Sequence, residues 1–366
     1  MASSCPRSGW FSRSWLGLLA CGLLAGMAAA EPGKYLGPTD VVASKDGKSL
    51  YVICLDAKQI AVLDLAAGKV TRTMAVPAEP SGLAQSPDGS KLYVTCGVPA
   101  GTVCVIDAAS GQVGATLPVG HTPVAPAVSP DGKRLYVCNR FNNNVSVIDL
   151  EAGKEITRVP MIREPIATAV TPDGATVFVL NQLPLNRADG YDVAGEVALI
   201  DAATNQATNI RLPNGSTSLH GVCVSPDGKY AYVVHILSRY QMPTTQLERG
   251  WMNTNALSII DVAAKKLVNT VLLDDVDLGA ALPWAVATTA DGASICVSHA
   301  STHELSVIDA PAMLDKVLAH LKQEGTITVA QVRDLFGASR RYALALMGYL
   351  DQQGITKRIG DERVLR

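Results

Sequence analysis

The chain has 366 residues, with 31 Lys and Arg against 33 Asp and Glu, and 48 % of it is hydrophobic, enough for one large domain and a small one. The charge is uneven: residues 31–311 carry 20 Lys and Arg against 27 Asp and Glu (net −7), and residues 312–366 carry 9 against 6 (net +3). No C-x-x-C-H occurs, which excludes covalent haem, and neither G-x-x-x-x-G-K-[ST] nor N-K-x-D occurs, so GTP binding cannot be inferred.

Residues 1–30 read as a secretory signal. Arg7 and Arg13 give a basic start, an apolar run covers 15–27, and Ala28-Ala29-Ala30 is a small-residue cleavage site before Glu31. The mature chain is therefore expected in the periplasm or outside the cell. The apolar run is short for a membrane span, so none is expected. Leu18-Leu19-Ala20-Cys21 only loosely matches a lipoprotein box.

Residues 31–311 repeat. A turn tetrapeptide recurs as Ser44-Lys45-Asp46-Gly47, Ser86-Pro87-Asp88-Gly89, Ser129-Pro130-Asp131-Gly132, Thr171-Pro172-Asp173-Gly174, Ser225-Pro226-Asp227-Gly228 and Thr289-Ala290-Asp291-Gly292. An apolar run ending in Asp follows each one, at Asp64, Asp107, Asp149, Asp201, Asp261 and Asp309. Each unit reads as four strands, A to D, rich in β-branched and aromatic residues, with the Asp-Gly turn between A and B. A lone four-stranded sheet cannot bury both faces, so the units must stack, and a period near forty points to a mainly β fold, a β-propeller of six repeats. The sixth repeat stops after strand C. Either residues 33–37 supply its strand D and close a six-bladed ring, or the ring is an incomplete seven-bladed one. With SPDGKRLYVCNRFNNNVSVIDLEAGKEI as the clearest copy, the region resembles the YVTN-type β-propeller repeat family, exported or surface proteins of mostly unassigned function. The resemblance implies fold more than activity.

Six cysteines follow Ala30, all in strand-like runs, the pattern of buried free thiols; Cys96 and Cys104 flank one short hairpin and form the candidate pair.

Strand alternation puts the B–C and D–A connections on one face, opposite the Asp-Gly turns. The long insertions 181–196 and 235–255 fall there, as do Asp274, Asp275 and Asp277 and, on the largest loop, Arg239, Tyr240, Arg249 and Trp251. The expected ligand set on that face is His121, His220, His235, Trp284, His299, His303 and Glu304, able to hold a metal ion or an anionic ligand, with a protein as the other partner expected there. The competing reading gives these side chains structural roles, because His235 and His299 are equivalent to Cys54, Cys96, Asn139 and Asn181 in other repeats. No cofactor is otherwise implied, no catalytic motif stands out, and a monomer is expected.

From Ala312 the period becomes helical, with helices expected near 313–321, at 329–336 capped by Thr328, and from Ser339 to 353, then a two-stranded wing turning at Gly360-Asp361. This order is a winged helix. The stretch TVAQVRDLFGASRRYALALMGYLDQQGITKRIGDERVLR looks like the final winged-helix module of the selenocysteine-specific elongation factor. The resemblance implies a hairpin RNA partner, with Arg340 and Arg341 on the recognition helix and Lys357, Arg358 and Arg363 on the wing as the contacts. An exported propeller and a cytoplasmic RNA reader belong in different compartments. Three readings follow: an exported binding or surface protein with a passenger tail, a translation-factor fragment that would be cytoplasmic, and a loop-face hydrolase of lactonase-like type.

Overall fold

The computed structural model describes residues 35–187, 190, 192–238, 252–274, 281–309, 320–336, 347, 348, 350, 351 and 356–366. Within them the repeats form six antiparallel sheets, or blades, at 38–75, 80–118, 123–160, 165–211, 216–272 and 283–309. Each sheet is ordered A-B-C-D as its strands occur in the chain, and blade six has strands A to C.

The repeated residues are the ones that make the turns. In blade two the Ser86 hydroxyl donates to Asp88 (2.5 Å) and accepts from the Lys91 backbone N–H (2.9 Å), while Asp88 also accepts from the Ser90 N–H (3.0 Å). Gly89 sits at φ +81°, which only glycine adopts without strain. The same bonds recur at Ser44, Ser129, Thr171, Ser225 and Thr289. The second marker closes the C–D turn: Asp64, Asp107, Asp149, Asp201 and Asp261 each accept a backbone N–H three residues on, at 2.7–2.8 Å.

The core is a set of apolar layers between blades. Tyr51, Ile53, Ile60 and Val62 of blade one meet Leu83, Leu92, Val94 and Ile106 of blade two. Equivalent layers join blades two and three, three and four, four and five, and five and six. Each buried Ile, Leu or Val contributes about 1.5–3 kcal/mol, so neighbouring blades hold each other folded.

The stack is not closed by the segment expected to close it. Tyr35 to Gly37 carries no strand, and residues 33 and 34 lie outside the described residues. Val41 of blade one is 54 % exposed, whereas Leu83, its equivalent in blade two, is buried. Leu305 and Val307 of blade six are 62 % and 64 % exposed, whereas Val145 and Val147 in blade three are inaccessible. The outer faces of blades one and six are therefore both uncovered, which is the arrangement of an incomplete seven-bladed ring. Among the described residues no helix is long and apolar enough to cross a membrane.

After the propeller, strand Thr326–Thr328 joins strands Thr356–Ile359 and Glu362–Leu365 in one sheet, so the expected two-stranded wing has a third strand. Helix Val329–Phe336 begins where expected. Thr328 accepts the Gln331 N–H (3.2 Å), and the Gln331 side chain accepts the Thr328 N–H (2.8 Å), a reciprocal cap. Leu321, Ile327, Val332, Met347 and Leu350 are buried and belong to the same apolar cluster as the blade five–six layer.

Candidate functional site

The six A strands converge on one central channel of about 460 Å³, a volume suited to a small ligand. The residues five before each turn Ser or Thr are equivalent, and two of them carry rings: His220 in blade five and Trp284 in blade six. Because their strands pack side by side, the rings stack at 4.4 Å between centroids and 23° between planes. Gly221 permits the approach, since a methyl group there would meet the Trp284 carbonyl oxygen at 2.8 Å. Trp284 remains half exposed to the channel.

Arg140 enters the same channel from the turn Arg140–Asn142 that follows strand B of blade three. Its guanidinium donates to Glu164 (2.9 and 3.1 Å) and to the Gln182 amide oxygen (2.8 Å), and lies over the Phe141 ring at 5.1 Å. Glu164 precedes Pro165 with φ +47°, a left-handed position that Thr122 and Leu282 share before Pro123 and Pro283, so it belongs to the repeated D–A turn. Burial, and then the Arg140 charge, hold His220 below the usual imidazole range, so it is neutral at pH 7. Asp40, also in the channel, accepts the Leu83 N–H (3.0 Å), and burial raises its carboxyl above the usual range despite that bond. The lining thus offers an aromatic platform, a neutral imidazole, and a ring of fixed donors and acceptors.

The remaining expected ligand residues go elsewhere. His235 and His299 are buried in their B strands and reach across to strand C: His235 Nε2 meets Ser258 Oγ at 2.8 Å, and His299 Nε2 meets Ser306 Oγ at 2.9 Å. Asn139 makes the same link to Ser146 at 2.7 Å. These histidines tie strand to strand and do not line the channel, which corrects their assignment as ligand groups. His303 occupies the left-handed position of the B–C turn (φ +58°), as Lys58 and Asn143 do, and both His303 and the adjacent Glu304 are exposed. His121 packs edge-on against Phe141 at 5.3 Å. Among the described residues no three His, Cys, Asp or Glu side chains converge as a metal ion requires. Arg239, Tyr240, Arg249, Trp251, Asp275 and Asp277 lie outside the described residues.

Arg140, Glu164, Gln182 and Asp40 escaped the sequence reading. The available signal was a polar residue inside an otherwise apolar A strand, as at Asp40, or directly after strand B, as at Arg140.

In the winged helix, Lys357 and Arg358 are exposed on the wing. Arg363 is turned inward, with its side chain 8 % exposed and paired to Asp351 at 3.0 Å, so it holds the wing to the preceding segment and is not free to contact RNA. That corrects its expected role. Arg340 and Arg341 lie outside the described residues. A cleft of about 370 Å³ between helix Val329–Phe336 and the wing is lined by Arg333, Arg358 and Arg363.

Comparison with known proteins agrees with both parts. Residues 26–188 match the family model described as lactonase, 7-bladed beta-propeller, and residues 319–365 match the model described as elongation factor SelB, winged helix. Part of the propeller is thus similar to the lactonase model, and the tail is similar to the SelB winged-helix model. The tail is therefore of a nucleic-acid-binding kind. Hydrazine synthase subunit beta of Kuenenia stuttgartiensis is 29 % identical over 149 residues, 41 % of this chain and 38 % of that protein. The match therefore spans well under half of that relative's length. The solved structure of Kuenenia stuttgartiensis hydrazine synthase superposes with a TM-score of 0.71 and 26 % identity over 87 % of this chain and 88 % of that one.

Proposed function

We propose that the chain is an exported binding protein whose propeller holds a small hydroxylated ring compound at the loop end of its central channel. The observation that supports this most is the stacked pair His220 and Trp284 inside a channel that also contains Arg140, Gln182 and Asp40. An exposed indole face receives the C–H face of a sugar-like ring. Planar amide and guanidinium groups fixed by their own hydrogen bonds then meet the hydroxyl groups. Arg140 is already balanced by Glu164 at 2.9 Å, which favours an uncharged polar ligand over an anion. Calorimetric titration with aldopyranoses and aldonolactones tests the reading: saturable binding is expected, and at least tenfold weaker binding for Trp284→Ala. A panel that shows no binding overturns it.

The match of residues 26–188 to lactonases favours a second reading, in which a bound lactone is hydrolysed. Neutral His220 would then take a proton from the attacking water. Lactone opening followed by pH-stat, lost in His220→Ala, is its test. The relative named as a subunit of hydrazine synthase suggests in addition that such a propeller serves within a larger assembly. The tail is assigned hairpin RNA as its partner only when it stands in the cytoplasm.

A further inference from the structure

One position recurs as a bridge between strands B and C. The residue ten beyond the turn Ser or Thr, at or near the end of strand B, and the third residue before the C-strand Asp point toward each other diagonally across the hairpin. In blades three, five and six they are Asn139 with Ser146, His235 with Ser258, and His299 with Ser306, hydrogen bonded at 2.7–2.9 Å. In blade two the same two positions are Cys96 and Cys104. Their sulfurs lie 3.7 Å apart, and both side chains are fully buried.

We infer that Cys96 and Cys104 are the site of an intrachain disulfide, which replaces in blade two the hydrogen bond that ties B to C in the other blades. Three blades show independently that side chains at this pair of positions reach one another. A disulfide holds its sulfurs at about 2.05 Å, so the pair must approach by roughly 1.7 Å, through side-chain rotation together with a small shift of the strands, because diagonal positions stand wider than directly paired ones. Among the described residues no other two cysteine sulfurs are in contact, and the position facing Cys54 is Ala61.

The chemistry balances with a disulfide as oxidant, either a small-molecule disulfide or an oxidised thiol–disulfide oxidoreductase. The Cys96 thiolate attacks one sulfur of that oxidant, forming a mixed disulfide and releasing one thiolate. Cys104 then loses its proton and attacks Cys96 Sγ, and the second thiolate leaves, so that two thiols become one disulfide and the oxidant is reduced to two thiols. Both sulfurs are buried in the folded blade, so the bond forms during folding, before blade two closes against blade one.

An oxidising compartment rests on the export reading, but the bond itself does not, and refolding purified protein separates the two. The full chain is refolded with a mixture of oxidised and reduced glutathione, unfolded, alkylated with iodoacetamide and cut with trypsin. Residues 92–133 form one tryptic peptide that holds Cys96, Cys104 and no other cysteine. The expected peptide is two hydrogen atoms lighter than its dithiol form and takes no alkyl group until it is reduced. Cys104→Ser places at 104 the residue found at 146, 258 and 306, so it folds; in that variant Cys96 is expected to retain glutathione as a mixed disulfide. Two alkylated cysteines in peptide 92–133 after oxidative refolding overturn the inference, as does Cys96 joined to any other cysteine.

Discussion

Replacing His235 separates a structural histidine from a ligand histidine. The ring is fully buried, its Nδ1 lies 3.2 Å from the Ile236 carbonyl oxygen, and its Nε2 lies 2.8 Å from Ser258 Oγ. A carbonyl oxygen only accepts, so the proton is on Nδ1, and Nε2 accepts from Ser258, which lies 2.8 Å from Thr270 Oγ1. His235→Ala leaves a void and strands these partners in the interior, a loss of about 2–4 kcal/mol. His235→Asn, with the residue that blade three uses, keeps a bond to Ser258 and costs about 1 kcal/mol. The pH dependence gives a second signature. Burial pushes the folded His235 from 6.5 down to about 4. Between those values the unfolded chain takes up a proton that the folded chain refuses. The stability this residue contributes is therefore complete above pH 6.5 and falls by about 3 kcal/mol as the pH drops to about 4. Urea unfolding of wild type and His235→Asn from pH 7.5 to 4 measures the difference. The wild-type advantage of about 1 kcal/mol should vanish near about pH 6 and reverse below it. Parallel pH profiles, or an alanine variant of unchanged stability that has lost ligand binding, would refute the structural role.

Three further outcomes are expected. Val307→Lys, on the uncovered face of blade six, should change stability by no more than about 0.5 kcal/mol, whereas Val147→Lys at the equivalent buried position of blade three should cost several kcal/mol or prevent folding; equal losses in urea titrations would mean that the ring is closed. Lys357→Ala should weaken binding of hairpin RNA by the winged helix and lower the salt slope by about one, while Arg363→Ala should lower the melting temperature by freeing the buried end of its pair with Asp351. An Arg363 variant of unchanged stability would return that residue to the list of RNA contacts. N-terminal sequencing of the native protein should begin at Glu31, and recovery of Met1 would defeat export.

The fold was legible because each repeat carries its own turn chemistry. Ser and Asp of the tetrapeptide bond the backbone locally, and the C-strand Asp closes the next turn, so six copies of a short-range signal define six sheets. Cap Thr328 was visible for the same reason. Closure of the ring was not visible, because it depends on whether residues 33–37 reach blade six, a long-range contact that no local bond records. The site was half legible. His220 and Trp284 could be placed on one face, but nothing in the sequence shows that equivalent residues of adjacent blades meet. Near the axis the inner strands are close enough for two rings from adjacent blades to stack. His235 and His299 misled because a histidine that links two strands and one that binds a ligand look alike in sequence. The serine seven residues beyond His299, matched by Ser146 seven beyond Asn139, was the distinguishing sign.

The most direct test of the channel as a binding site is calorimetric titration of the full chain with aldopyranoses and aldonolactones, run in parallel on wild type and Trp284→Ala. Wild type should bind at least one of them saturably, and the variant should bind it at least tenfold more weakly with an unchanged unfolding midpoint. Equal affinity in the two proteins would contradict ligand binding at Trp284.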